Sequence, residues 1–341
     1  MRTIILGGIG LLLAAGCGAK KSDAGTPTPV PTAPAPPVGT ALTGITLLDG
    51  WTNPHALPDG VNTIGWEDSS NISADGKTLY FSYTQYDQGI LASSGTLVIT
   101  GPARAGQKGP AFDIYEATID AGAWNIVDST VNLPDPNLSE AASGVDVPQT
   151  RMVFVNFSTS GDLYLSDKVG GVWQPGVKMP SSVNSGCVED NPTLSADGKT
   201  VWFDSDRKPG GCGANRQIYV THDLGGGAWS DPVNVSPGAQ PYANQAFVTA
   251  DGSEMYWSGI DNDCLMQGAK ALCLFKAPKA AGDTWGTPQI EMVLTSTAGT
   301  GVVTTVGESS VTADGHYMYF TYIVHDSAGR VDLNLGVAEH P

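Results

Sequence analysis

The stretch TLSADGKTVWFDSDR, residues 193–207, decides the fold. Asp197-Gly198 sits between a short apolar run and the segment Val201-Trp202-Phe203, and an Asp-Gly pair flanked by such runs is the strongest local signal for a tight β-hairpin. The unit recurs as NISADGKTLYFSY from Asn71, FVTADGSEMYWSG from Phe247 and SVTADGHYMYFTY from Ser310. A degenerate copy, VDVPQTRMVFVNF from Val145, keeps the aliphatic and aromatic positions while Pro148 and Gln149 replace the Asp-Gly. Internal repetition of a hairpin that cannot bury its own faces points to copies packing on one another.

Each hairpin is followed by a third apolar motif: Asp113-Ile-Tyr, Asp162-Leu-Tyr, Gln217-Ile-Tyr, Cys273-Leu-Phe and Asp332-Leu-Asn. A tryptophan then opens a presumed fourth strand at Trp124, Trp173, Trp229 and Trp285, and the last repeat has none. The missing strand is found before the first repeat, where WTNPHAL from Trp51 matches WSDPVNV from Trp229. Trp51 to Glu67, Trp124 to Glu140 and Trp173 to Glu189 are each 16 residues, which fixes the phase. The expectation is an all-β, five-bladed β-propeller of four-stranded antiparallel blades, closed by an N-terminal strand that completes the C-terminal blade. Such closure removes the free sheet edges of a radial array. Blade one carries an insertion, ITGPARAGQKGPA from Ile99, between its second and third strands.

The hairpin SADGKTLYFSY with its following DIY resembles the WD40-like repeats of the TolB-type β-propeller family, whose units read approximately S-x-D-G-K-x-aliphatic-aromatic-F-x-S. Residues 193–207 are the closest copy, with Pro192 before the strand and Ser-Asp-Arg after it. The resemblance implies the blade and specifies no chemistry.

The chain begins with Arg2, an apolar run from Ile4 to Ala15, then Gly16 and Cys17, the order of a secretory signal. The run is too short for a membrane helix, which needs about 20 apolar residues. Leu13-Ala14-Ala15-Gly16-Cys17 resembles a lipobox, which implies cleavage after residue 16 and a lipid on Cys17. The expected organisation is a signal peptide over 1–16, lipidated Cys17 and a proline-rich tether over 17–42, and the propeller over 43–341. TPTPVPTAPAPPVGT from Thr26 favours extended polyproline II, a spacer between membrane and blades. This places the protein in the cell envelope, lipid-anchored to the outer membrane on its periplasmic or outer face. Beyond Cys17, the cysteines Cys187, Cys212, Cys264 and Cys273 form an even set suited to an oxidising compartment. Cys187 and Cys212 flank the first two strands of blade three, and Cys264 and Cys273 lie within one loop of blade four, so both pairs can bridge on one face.

The net charge is −17, and −18 once Arg2 leaves with the signal. Seventeen basic residues against 34 acidic ones offer no field for nucleic acid, and solubility accounts for the acidity. Glu67, Glu140 and Glu189 hold one place in blades one to three, and Glu308 keeps the same strand parity in blade five. Four carboxylates at a channel mouth are the candidate ligand site; the alternative is that they cap loop amides or pair with arginines. The acidic runs from Asp204 and Asp261 lack calcium-loop spacing, His55, His222, His316, His325 and His340 are dispersed, and no cofactor or metal motif is found. G-x-S-x-G is absent. The sequence thus suggests a monomeric, non-catalytic binding or scaffold module for a protein or carbohydrate, with a glycosidase using the channel carboxylates as the alternative.

Overall fold

Each hairpin turn is tied by its own side chains. Ser195 Oγ donates to Asp197 Oδ1 at 2.7 Å and accepts from Thr200 N–H at 2.9 Å, while Gly198 takes φ of 70°. Ser73 and Asp75, Thr249 and Asp251, and Thr312 and Asp314 repeat the arrangement. In the degenerate copy Asp146 accepts from the amides of Thr150 and Arg151, and Gln149 supplies the left-handed residue at φ of 54°. The lost Asp-Gly is therefore replaced in function.

These turns organise five antiparallel sheets in the computed structural model, which describes residues 30, 32–133, 135, 138–157, 160–238 and 242–341. The signal peptide, Cys17 and the beginning of the proline segment lie outside the described residues. Blade one comprises Trp66–Ile72, Thr78–Thr84, Asp113–Asp120 and Ala123–Asp128. Blade two follows with Glu140–Val145, Arg151–Asn156 and Asp162–Val169, and blade three with Glu189–Leu194, Thr200–Lys208 and Gly211–Gly225; the outer strand of each is split in two. Blade four holds Ala243–Val248, Glu254–Asp261, Ala271–Pro278 and Gln289–Leu294. Blade five holds Val303–Val311, Tyr317–His325 and Val331–Glu339, and Thr52–Ala56 completes it, with His55 opposite Val337. The predicted closure is the observed one. A second N-terminal strand, Ile45–Leu47, adds a fifth member to blade four through Ile45 opposite Leu294.

The third-strand motifs are explained by packing. Phe81 stacks on Tyr115, Phe154 on Tyr164, Phe203 on Tyr219 and Trp257 on Phe275, each pair directly opposed across the second and third strands. In blade five Phe320 faces Gly336, so the equivalent motif is Asn334-Leu335-Gly336, two residues beyond the Asp332-Leu-Asn expected from sequence. A Cβ on Gly336 would lie 2.9 Å from the Phe320 ring and 3.1 Å from Leu42, so the N-terminal segment fills the place of the missing aromatic. Two of the tryptophans tie their blade to its predecessor: Trp51 Nε1 donates to Glu291 at 2.9 Å and Trp173 Nε1 to Glu116 at 2.9 Å.

Residues 32–42, read from sequence as tether, rest on the propeller. Ala33 N–H donates to Asp314 Oδ2 at 2.6 Å, Pro37 O accepts from Trp124 Nε1 at 3.2 Å, and Gly39 N–H bonds Ala56 O at 2.8 Å. The segment lies across the seam where blade five meets blade one. Its prolines need no backbone donors, which suits a strap held by its carbonyls and a few remaining amides.

Candidate functional site

The innermost strand of every blade carries the same irregularity. The ladder slips between Asp68 and Asn71, Ala141 and Gly144, Asp190 and Thr193, Asn244 and Phe247, and Gly307 and Ser310. At each bulge one non-glycine residue is left-handed: Ser69, Ala142, Asn191, Gln245 and Glu308, with φ between 45° and 58°. A bulge turns successive side chains out of simple alternation, and these five residues ring the central channel. The space they enclose is about 30 Å³, room for water but not for a sugar. Towards the hairpin face, Ile72, Val145, Leu194, Val248 and Val311 close in on the axis.

This geometry separates the four candidate glutamates. Glu67 is fully buried inside blade one, where its carboxylate accepts from Thr63 N–H at 3.1 Å, Thr63 Oγ1 at 2.7 Å and Arg104 Nη2 at 2.8 Å. Glu189 repeats this with Ser185 N–H at 2.9 Å, Ser185 Oγ at 2.6 Å and Arg207 Nη2 at 2.8 Å. Arg104, supplied by the blade-one insertion, lies 4.2 Å over the Tyr83 ring, and Arg207 lies 5.1 Å over Phe203. Glu140 is equally buried and accepts from Asn156 Nδ2 at 2.7 Å. Burial raises Glu67 to about 7 against the pull of Arg104, and raises Glu140 to about 7 with Asp113 adding to it. These three tie loops to blades.

Glu308 is at the bulge, and Val306 holds the place of Glu67, since Val306 opposes Tyr322 as Glu67 opposes Tyr83. The shared parity expected from sequence fails because the slip between Gly307 and Ser310 re-aims the chain. Glu308 Oε2 accepts from Ser69 N–H at 2.6 Å, and its carboxyl lies within hydrogen-bonding reach of Asp68. Burial, and then the charge of Asp68, hold Glu308 well above the usual carboxylate range.

Around Glu308 the channel opens into a pocket of about 330 Å³, within the range of small-ligand sites. Its polar wall is Asp68, Asp190, Asn244, Gln245, Arg216 and Glu308, and its apolar wall includes Phe112, Phe157 and Tyr242. Arg216 Nη1 bridges Asp190 Oδ2 at 2.5 Å and Asp204 Oδ2 at 2.9 Å. Burial and the neighbouring Asp204 push Asp190 up to about 6 although Arg216 opposes them. Sequence reading missed Asp68, Asp190, Arg216 and Tyr242. The adjacent pairs Glu67-Asp68 and Glu189-Asp190 held the signal: neighbouring strand residues face opposite ways, so a glutamate locked in the blade sends the following aspartate elsewhere.

A second missed pattern is Val61-Asn62, Val131-Asn132 and Val183-Asn184. Each asparagine closes a two-way amide bond on the preceding blade, with Leu335, Ile114 and Leu163 respectively. The two bridges are Cys187–Cys212 and Cys264–Cys273, with Cα separations of 5.4 and 5.3 Å. Cys187 and Cys212 lie with Asp206 at metal-ligand spacing, but their sulfurs are joined. Among the described residues, no helix is long and apolar enough to cross a membrane.

The class of protein these features define is a five-bladed β-propeller with a narrow polar channel widening into one acidic, aromatic-walled mouth. No protein-family model matches the chain, and no curated protein does. Solved structures that it resembles include a glycoside hydrolase, 10% identical, with TM-score 0.52 over 88% of this chain and 92% of that one. TolB from Acinetobacter baumannii is 13% identical, with TM-score 0.42 over 81% of this chain and 54% of that one. This chain therefore matches about half the length of that TolB. At these identities the likeness is one of fold.

Proposed function

We propose that the protein is an extracytoplasmic lipoprotein, anchored through Cys17 to the outer membrane and facing the periplasm or the cell surface. Its propeller acts as a monomeric, non-catalytic binding or scaffold module for a protein or carbohydrate ligand, which it takes at the channel mouth. The observation that carries this is the convergence of polar groups from blades one, three, four and five on one pocket whose continuation down the channel is too narrow for a ligand to pass.

The non-catalytic reading is supported by the state of the carboxylates. Glu67, Glu140 and Glu189 are sealed in their blades, and Asp68 and Glu308 lie within hydrogen-bonding reach of each other, whereas glycoside hydrolysis sets two carboxyls roughly 5 to 10 Å apart across the bond. Aryl-glycoside turnover in the wild type that is lost in Glu308→Gln would establish the enzyme instead. For the anchor, Cys17→Ser should abolish palmitate labelling and release the protein from the membrane fraction. Glycan and peptide arrays probed with wild type and Asp190→Asn test the mouth: the reading expects a ligand retained by the first and lost by the second.

A further inference from the structure

We propose that the mouth is selective for an organic cation, an ammonium or guanidinium group on a short stem, seated against Asp68, Glu308 and Asn244 beneath the rings of Phe112, Phe157 and Tyr242. This rests on the reading of the mouth as the ligand site and names what that site takes. Three carboxylates, Asp68, Asp190 and Glu308, line the pocket against one cation, and Arg216 is already shared between Asp190 and Asp204. Asp68 and Glu308 are left facing each other with no positive partner among the residues that line the pocket.

An independent sign is the amide of Asn244. The residue is 4% exposed and lines the pocket; its Nδ2 donates to Tyr242 Oη at 2.9 Å, while its Oδ1 meets no donor. A buried acceptor left unmet is costly, and the unmet Asn244 oxygen asks for a ligand rich in N–H. Ammonium offers three donors and guanidinium five, with no acceptor to clash with the carboxylates. Aromatic faces add cation–π attraction that grows with desolvation.

A metal ion fits less well. Calcium takes six to eight oxygens at roughly 2.3–2.6 Å, yet among the described residues the mouth carboxylates do not form a group at metal-ligand spacing.

The groups that face Glu308 are Asp68 from blade one, Asp190 and Arg216 with Asp204 behind them from blade three, and Tyr242 ahead of blade four. Blade four otherwise brings neutral Asn244, Gln245 and Ser258, and blade two brings the alanines Ala141 and Ala142. A cation entering beside Glu308 favours the ionised form of its carboxyl, which burial otherwise holds protonated, so binding releases a proton and tightens as pH rises.

The test is calorimetric titration of the detergent-solubilised full-length protein with agmatine, the tripeptide Gly-Arg-Gly, glucose and calcium chloride at pH 6 and pH 8. Expected are one saturable site for agmatine, for the tripeptide or for both, tighter binding at pH 8, proton release seen as a buffer-dependent heat, and no binding of glucose. Tighter binding of agmatine marks a small free cation as the ligand, and tighter binding of the tripeptide marks a peptide-borne one. Glu308→Gln and Asp68→Asn should each weaken binding at least tenfold with no loss of Tm; if the first fails to fold, the half-buried Asp68 carries the test. Saturation by glucose or by calcium alone, or no binding of either cationic probe, overturns the cation. If a ligand binds and both variants keep full affinity, the mouth reading itself fails.

Discussion

At the scale of the residue, the periodic glutamates show how a strong sequence signal can mislead about role. The 16-residue spacing from tryptophan to Glu67, Glu140 and Glu189 marks equivalent places, and the structure keeps that equivalence. What the spacing could not carry is the partner: Arg104 arrives from 37 residues away in an insertion outside the repeat. Glu140 has no such cation beside its carboxylate, so it tests the cost of the buried charge. Its carboxyl, raised to about 7 by burial, stays protonated in the folded state over a range where the unfolded chain has lost the proton. Stability is therefore lost as pH rises from about 4.5, the ordinary glutamate range, to about 7, and the penalty is complete above that. Glu140→Gln should raise stability at pH 8 by on the order of 3 kcal/mol and change it little at pH 4.5, read by thermal denaturation at both. Removing the partner instead, in Arg104→Leu, strands Glu67 and should cost roughly 3–5 kcal/mol at pH 8.

At the scale of the element, the hairpins, the third-strand aromatics and the strand at Trp51 were legible because each repeats a local pattern with a physical reason behind it. Ile45–Leu47 was not, since three residues without a repeat motif gain strand character only from the exposed edge of blade four. The bulges were hidden for a related cause. A left-handed Ser69 or Glu308 carries no glycine to announce it, and one slip re-aims the side chains beyond it. The strap over 32–42 was hidden by composition, because proline-rich sequence fits a free spacer as well as a docked strand. Its amides report which: hydrogen exchange at Ala33, Gly39 and Leu42 should be slowed in the wild type, and Asp314→Ala should speed exchange at Ala33 while leaving the second strands of the blades protected. Trp51→Ala removes a buried ring and its bond to Glu291, and a loss of roughly 3–5 kcal/mol is expected at the blade four–five joint.

At the scale of the whole molecule, two features act together. Net charge of −17 and several carboxyls raised by burial both favour mildly acidic conditions, so Tm should fall between pH 5 and pH 8. The bridges work against unfolding throughout; reduction of Cys187–Cys212, which closes a separation of 25 residues, should cost about 3 kcal/mol. Blade number and ring closure could be read from the chain because they are sums of local repeats. The mouth could not, because its wall is drawn from four blades at places whose residue type varies between repeats: aspartates in blades one and three with an arginine beside the second, an amide in blade four and a glutamate in blade five. Its role as the ligand site is tested most directly by plugging it. Phe157 stands on the pocket wall, so a Phe157→Cys protein can be titrated with an array-identified ligand before and after reaction with a polyethylene-glycol maleimide. Binding that is present before and abolished after is the expected result; binding that survives the plug would place the site elsewhere and contradict the account.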